Sequence, residues 1–489
     1  MNSATQSSAA YILFRFTGED RPGLTASISE LLATFECAII DVSQAVIHQS
    51  LLLGLMVKTP TDIDSDNLIQ QMQTCGNALG LKCNFKRIGD EDYDAWVDAQ
   101  ADLAKRGIDT VIPYTVDADG FFTQQAPGFE GKRVAVIGTG ATGVQTIQEV
   151  AKTAGHLTVF QRTPNWCAPL HNGPITEDQQ RALKTNYPEI FQRCRDSISG
   201  FIHNPDPRRT QDVSAQEREA FWEQRYGEPG FGIWVGNFRD VLVDREANAL
   251  MSDFVARKIR QRVKDPAVAE KLIPRNHGFG TRRLPLETRY YEVYNQPNVE
   301  LVDLLDTPIE RVTPQGIRTS AREYEFDMII YATGFDALTG AYDRIDIRGT
   351  AGQRLKDQWT PGAQTLFGIQ NAGFPNLLMV MGPMGALGNI PRSIEYNVEW
   401  VAGLLRHMQA HGLTRVEARP DSVQAWMDVC RQAAVGLLSN DVNSWMTGVN
   451  SNVQGKTTRV LARYSGTGPD YRARCDAVAA GGYRELALT

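Results

Sequence analysis

Cysteine is sparse and scattered in this chain. The seven cysteines of its 489 residues never form a CxxC pair, and their number is odd. That pattern argues against a disulfide framework and a thiolate zinc site, and the expected setting is a reducing, cytoplasmic one. Seven histidines show no HExxH or comparable ligand spacing, so no metal centre is expected. Long apolar runs are missing too. The longest, residues 51–57, contains a glycine and falls far short of the roughly 20 residues of a spanning helix. The opening MNSATQSSAA has no basic stretch leading into an apolar core, so neither a membrane span nor a secretory leader is expected. Charge of one sign is not concentrated anywhere. The net charge of −7, from 57 acidic and 50 basic residues, comes without a basic stripe, which excludes nucleic acid as an expected partner.

What is present reads as a multidomain enzyme. The length exceeds what one core supports and suggests two to four domains, with an ordinary 42% hydrophobic content. Residues 11–16 alternate as a strand, Gly18 to Gly23 reads as a turn, and Leu24, Ile28, Leu31, Leu32 and Phe35 fall at helical spacing. Strands over 39–49 and 50–58, a helix over 67–79 and a strand over 82–87 complete a βαββαβ order, an antiparallel sheet with helices on one face. The run FTGEDRPGLTASISELLATFECAIIDVSQ resembles an ACT domain, and FKRIGDEDYDAWVDAQ is similar to the stretch after the first such domain in bacterial phosphoserine phosphatases. The resemblance implies an amino-acid effector at the loop carrying Gly23 and offers a route to a homo-oligomer; the plain alternative is a simple strand-to-helix turn. Residues 91–130 read as a linker.

Residues 131–170 carry the clearest chemistry. The apolar strand 133–137 runs into Gly138-Thr139-Gly140-Ala141-Thr142-Gly143, followed by a helical pattern and a second strand at 157–161. In a GxGxxG so placed, Gly138 makes the tight turn, Gly140 lets a pyrophosphate approach the backbone, and Gly143 packs helix on strand. The helix amides then face the phosphates. An NAD site usually ends its second strand on a carboxylate. Here that position reads Gln161-Arg162-Thr163-Pro164, and the arginine fork suits the 2′-phosphate of NADP. NADPH is therefore the expected nucleotide.

Residues 171–279 are polar and helical in pattern, with Phe191, Phe201, Phe221, Trp222, Trp234 and Phe238 expected mainly as packing. Residues 280–489 return to strands and helices. Residues 325–331 read as one buried strand that closes on Ala332-Thr333-Gly334. The segments GKRVAVIGTGATGVQTIQEV, VFQRTPNW, IPRNHGFGTRRLPLETRYYEVYNQPNVELVD, YEFDMIIYATGFDALTG and GPMGALGNIPRSIEYNVEWV together resemble Baeyer–Villiger monooxygenases of the cyclohexanone and phenylacetone type over about 127–489. The resemblance implies NADPH and FAD as cofactors, and a ketone and O2 as substrates that give an ester or lactone. It implies that Arg162, Thr163 and Arg282 hold the 2′-phosphate. Arg283 would be the active-site arginine, stabilising the anionic flavin peroxide and positioning the nicotinamide; a fixed cation beside a developing anion needs no reorganisation. Trp445 would lie near the nucleotide, and the segment from Gly382 through Asn389 to Ser393 against the flavin. A solvated basic pair is the plain alternative for Arg282 and Arg283, and core packing for Trp445.

Two departures accompany the resemblance. The family opens on its own flavin-binding GxGxxG, and residues 1–130 contain none. The fingerprint FxGxxxHxxxW is replaced by DGFFTQQAPGFEGKRV, without histidine or tryptophan. The fold expected is α/β: a Rossmann-type NADP-binding domain (131–170 and 280–335), a helical insertion (171–279) and the C-terminal part of an FAD domain (336–489), preceded by an ACT-like α+β domain (1–90). The leading function is an NADPH- and FAD-dependent monooxygenase. The competing one is an NADP-binding protein, catalytically impaired for want of half its flavin site, with an amino-acid-sensing module. A phosphatase ranks last, since its DxDxT motif is absent.

Overall fold

The computed structural model describes residues 11–19, 24–35, 37–47, 50–60, 63–89, 114–116, 122–124, 128–386, 388–453 and 455–489. The chain forms two compact units, Met1–Gly128 and Phe129–Thr489. The Asp20–Gly23 loop, expected as an effector site, and most of the expected linker lie outside the described residues. Within that linker, Tyr114–Val116 and Phe122–Gln124 pair as a short antiparallel ladder.

The first unit is a four-stranded antiparallel sheet in the order 38–47, 50–58, 11–19, 81–88. Its core follows the two periodicities read from the sequence. Ile12, Phe14 and Phe16 alternate inward on one strand, and Leu53, Leu55 and Val57 on its neighbour. Ile28 and Leu32 from one helix and Leu68 and Met72 from the other meet them. One boundary differs from the expectation. Gly18 and Glu19 continue the first strand instead of opening a turn. A Cβ on Gly18 would come within 2.7 Å of Leu81, so the glycine here lets the edge strand approach.

The second unit is built on a four-stranded parallel sheet in the order Val299–Asp303, His156–Gln161, Arg133–Ile137, Met328–Tyr331. The Ala141–Val150 helix crosses between the two central strands. The uninterrupted apolar strand 133–137 is explained by cover on both faces. Val134, Val136, Leu157 and Val159 pack with the helices. Ala135, Ile137 and Phe160 pack against an antiparallel sheet of Ile309–Thr313, Gly316–Thr319 and Glu323–Glu325.

That second sheet corrects the expectation of one buried strand over 325–331. Glu323–Glu325 belongs to the antiparallel sheet, whereas Met328–Tyr331 is an edge of the parallel one, with Tyr331 61% exposed. The break falls at Asp327, whose carboxylate accepts the Arg133 backbone N–H at 2.8 Å and its guanidinium at 2.9 Å.

The insertion is helical as read, with helices Glu177–Thr185, Tyr187–Asp196, Ala215–Gly227, Arg245–Arg262 and Pro266–Leu272. Thr176 with Gln179, and Ser214 with Glu217, form capping boxes that fix two of the starts. Trp222 and Phe238 pack in the core, while Phe191 stays exposed. Arg262 fastens the insertion to the nucleotide unit, donating to Glu287 at 2.7 Å and Glu292 at 2.6 Å. Beyond residue 336 the expected strands reduce to one short antiparallel pair, Val416–Ala418 with Leu486–Leu488, amid long loops and three longer helices, Ile390–Ala410, Pro420–Ala433 and Gly468–Ala480, around Trp400, Leu404, Trp426 and Tyr471.

Candidate dinucleotide site

The Gly-rich turn sits at the C-terminal end of a central strand, where open parallel sheets bind ligands. Gly138 has φ +110°, a left-handed conformation that favours glycine, and its N–H donates to Phe160 O at 2.9 Å. A Cβ there would lie 2.4 Å from Ala332 O, so the strand ending on Ala332-Thr333-Gly334 presses directly on the turn. Gly143 is equally constrained, since its Cβ would meet Gly138 O at 2.1 Å. Gly140 differs: nothing lies within 4 Å of a Cβ built on it. The turn is thus tight at its first and third glycines and open at the second, where a pyrophosphate has to approach. Gly140 caps the helix without a side chain, and Ala141 and Thr142 open that helix with their amides free for an anion. The Thr139 hydroxyl donates to Thr163 O at 2.9 Å, tying the turn to the end of the second strand.

Two guanidinium groups gather at that strand end. Arg162 is exposed, and Arg282 is partly buried with its Nε enclosed and unpartnered. Burial, together with the neighbouring Arg162 charge, lowers the Arg282 pKa. Neither arginine forms an ion pair among the described residues. Like charges left close together without a carboxylate are what an anion would relieve.

Residues not singled out in the sequence hold this arginine segment. Asn248 on the Arg245–Arg262 helix donates to Val241 O and Phe279 O, both at 2.8 Å, and Ser252 Oγ accepts the Phe279 N–H at 3.0 Å. A Cβ on Gly278 would fall 1.7 Å from the Asn248 oxygen, so only glycine fits there. His277 lies against Arg282, and burial first, then that charge, pushes its pKa down to about 3. Arg283 points outward, and its carbonyl accepts from Asn165 Nδ2 at 3.4 Å. A polar residue inside a helical apolar pattern, such as Asn248, is the signal that could have revealed this brace.

Trp445 opens a short 3-10 turn and is 37% exposed. The loop that follows is clamped over the Ala332–Gly334 segment. Asn452 donates to Thr333 O at 3.0 Å and Asn450 to Phe335 O at 3.3 Å. Lys456 Nζ meets Asp336 at 2.8 Å and Asp343 at 3.0 Å. Burial opposes the lysine charge, but these hydrogen bonds prevail and hold its pKa above the usual value.

Gly382 donates its N–H to Gly368 O, and Asn389 leads the Ile390–Ala410 helix without capping it through its side chain. Gly382 and Asn389 thus lie apart in sequence and contact from the GxGxxG turn. No group of His, Cys, Asp and Glu among the described residues could hold a metal, and no helix there is long and apolar enough to cross a membrane.

These surroundings fit one dinucleotide. GxGxxG occurs once in the 489 residues, and the four-stranded parallel sheet beneath it is already used. The sheet of the first unit is antiparallel, and its sequence has no GxGxxG. The described residues therefore fit a nicotinamide dinucleotide and do not fit the pyrophosphate and adenosine of a second one.

Comparison with known proteins agrees with this architecture. The family model of the ACT domain matches residues 10–86. The 2-oxo-Delta(3)-4,5,5-trimethylcyclopentenylacetyl-CoA monooxygenase of Pseudomonas putida is 44% identical, over 77% of this chain and 69% of its own length. The chain belongs to the Baeyer–Villiger monooxygenases. The cyclopentanone 1,2-monooxygenase of Comamonas sp. is 38% identical over 75% of this chain and 66% of its own. A structure of OTEMO in complex with FAD and NADP is similar at TM-score 0.71 and 45% identity, covering 74% of this chain and 67% of that one. Baeyer–Villiger monooxygenases use NADPH and FAD, and this chain spans about two thirds of the length of the relatives it matches.

Proposed function

We propose that this chain is the NADPH-binding and C-terminal portion of a ketone-oxidising Baeyer–Villiger monooxygenase, joined to an ACT unit. The observation that carries the reading is the Arg162–Arg282 pair, with a buried unpartnered Nε, at the end of the strand that follows an open Gly140. In this reading Gly138, Gly140 and Gly143 cradle the pyrophosphate with the amides of Thr139, Ala141 and Thr142. Arg162, Arg282 and the Thr163 hydroxyl take the 2′-phosphate. Trp445 borders the nucleotide, and Arg283, exposed beside Arg282, presents the cation for the oxygenation chemistry. Gly382 and Asn389 border the flavin ring. When bound, NADPH supplies a hydride; the flavin that would accept it needs a cradle beyond the described residues. Substrates of the ketone class, giving esters or lactones with O2, follow from the family. A cytoplasmic setting agrees with the seven free cysteines, and self-association through the ACT unit belongs to the same proposal.

Nucleotide titration tests it. Arg162→Ala should weaken NADPH by about 1.5–3 kcal/mol, as for a charge-assisted hydrogen bond, and leave NADH nearly unchanged. Equal losses for both nucleotides would remove Arg162 from the phosphate site.

A further inference from the structure

A second pair of arginines lies in the C-terminal part of the chain. Between Asp441 and Asp470 the sequence has no Asp or Glu, yet it carries Lys456, Arg459 and Arg463. The lysine is matched by Asp336 and Asp343. The two arginines instead line a cavity of about 180 Å³, together with Ala434, Asn440, Met446 and Ser465. Pockets for drug-sized ligands run to about 300–1,000 Å³, so this one suits a single small group. Neither the Gly-rich turn nor Arg162, Arg282 or Arg283 contributes to its walls.

Neither arginine has a counter-charge among the described residues. Arg463 is partly buried, and its side chain donates only to Ser439 Oγ, at 3.2 Å. Arg459 donates to Asn443 Oδ1 at 2.8 Å and to Asn440 O at 3.3 Å, both neutral. The flanking carboxylates are already engaged. Asp441 accepts from Arg245 at 2.5 Å, and Asp470 accepts from Arg474 at 2.8 Å and from the Tyr464 hydroxyl at 2.7 Å. Burial lowers the Arg463 pKa, and no anionic group opposes it. The Ser465 hydroxyl has no partner among the described residues either. A guanidinium withdrawn from water is costly unless a charge and its hydrogen bonds compensate, and Arg463 has a fork of donors of which one meets a neutral oxygen.

We propose that this cavity binds a phosphate group, with Arg459, Arg463 and the Ser465 hydroxyl donating to its oxygens. Two guanidinium forks match the charge and the several acceptors of a phosphate, whereas a carboxylate would leave one cation unmatched. The group is either free inorganic phosphate or the terminal phosphate of a phosphorylated small molecule, since both present the same oxygens. The inference is independent of the dinucleotide reading, because the two sites share no residue.

Binding is read from the broadening of the phosphorus-31 resonance of inorganic phosphate added to the full chain. Ionic strength is held constant, and NADPH is kept in excess so that the Arg162–Arg282 site is filled. The wild-type chain is expected to broaden the line saturably. Arg463→Met and Arg459→Met should each weaken binding at least about tenfold, as for loss of a charge-assisted hydrogen bond, and leave NADPH affinity unchanged. Arg463→Met should also keep the thermal midpoint measured without phosphate, because methionine replaces an unmatched charge. Arg459 is exposed, so its variant decides the case even if Arg463→Met does not fold. A wild-type chain that leaves the line sharp, or variants that bind phosphate as the wild type does, overturns the proposal. So does sodium acetate that displaces phosphate at equal concentration. Glycerol 3-phosphate that displaces it at a lower concentration identifies a phosphorylated molecule as the source, and failure to do so identifies free phosphate; both keep the assignment.

Discussion

Three glycines of one turn separate folding from binding at the scale of the residue. A side chain at Gly143 would strike Gly138 O, whereas one at Gly140 meets nothing within 4 Å. Gly143→Ala should therefore lower the melting temperature of the nucleotide unit, because the helix start has to move away from the turn. Gly140→Val should leave that temperature nearly unchanged and abolish NADPH binding by filling the pyrophosphate's place. Normal NADPH affinity in Gly140→Val would show that the turn is not the cradle. His277 gives a second residue-scale test, in pH. Its folded pKa is pushed down to about 3 from an ordinary 6.5. Above pH 6.5 both folded and unfolded states are neutral, and the group contributes nothing. Below it the unfolded chain takes up a proton that the folded chain refuses, so stability falls by about 1.4 kcal/mol per pH unit for this one group. Urea unfolding at pH 7 and pH 5 should show that slope reduced by about this amount in His277→Gln. An unchanged slope would mean that His277 is protonated in the folded chain.

Among the elements, the Arg245–Arg262 helix connects sequence pattern to site. Its apolar face, Met251, Phe254, Val255 and Ile259, joins the core of the nucleotide sheet. Asn248 braces the arginine segment from its first half, and Arg262 anchors its last turn to fully buried Glu287. Replacing Arg262 with Met would leave the Glu287 carboxylate enclosed and unpaired, which costs about 3–5 kcal/mol. Chemical denaturation should show that loss, and Arg262→Met with Glu287→Gln should recover part of it. Elements like these were legible where one local rule governs. The strands at 133–137 and 50–58 are where the apolar runs put them, and the GxGxxG spans the strand-to-helix junction as read. The arginine pair was read from the sequence as a candidate phosphate grip. Its support was not, because Asn248 and Ser252 lie some 30 residues away in sequence and only tertiary packing brings them to Phe279. The split of residues 325–331 was hidden for the same reason: Asp327 interrupts the strand through a bond to Arg133, 194 residues earlier.

On the scale of the whole molecule, one cradle serves a family that uses two dinucleotides. The ACT-matching unit precedes the nucleotide unit, its sheet is antiparallel, and its sequence has no GxGxxG. The flavin-facing segment from Gly382 to Asn389 can border a ring but supplies no helix-and-turn grip on pyrophosphate and adenosine, where much of a dinucleotide's affinity resides. The chain purified alone should thus bind NADPH, hold little FAD and oxidise no ketone. Thermal unfolding followed by tryptophan fluorescence is a direct measurement, because Trp96 alone of the eight tryptophans lies outside residues 129–489. NADPH at a hundred times its dissociation constant should stabilise this unit by about 2.7 kcal/mol and raise the midpoint of the fluorescence transition. FAD at the same concentration should leave the midpoint where it was, since a ligand that finds no preformed site in the folded state cannot favour it. A midpoint raised as far by FAD as by NADPH, or a preparation that is yellow and turns over a ketone with NADPH and O2, would mean that residues 1–489 complete the second cradle themselves. In that case the segment between residues 90 and 128 would be the first place to look for it.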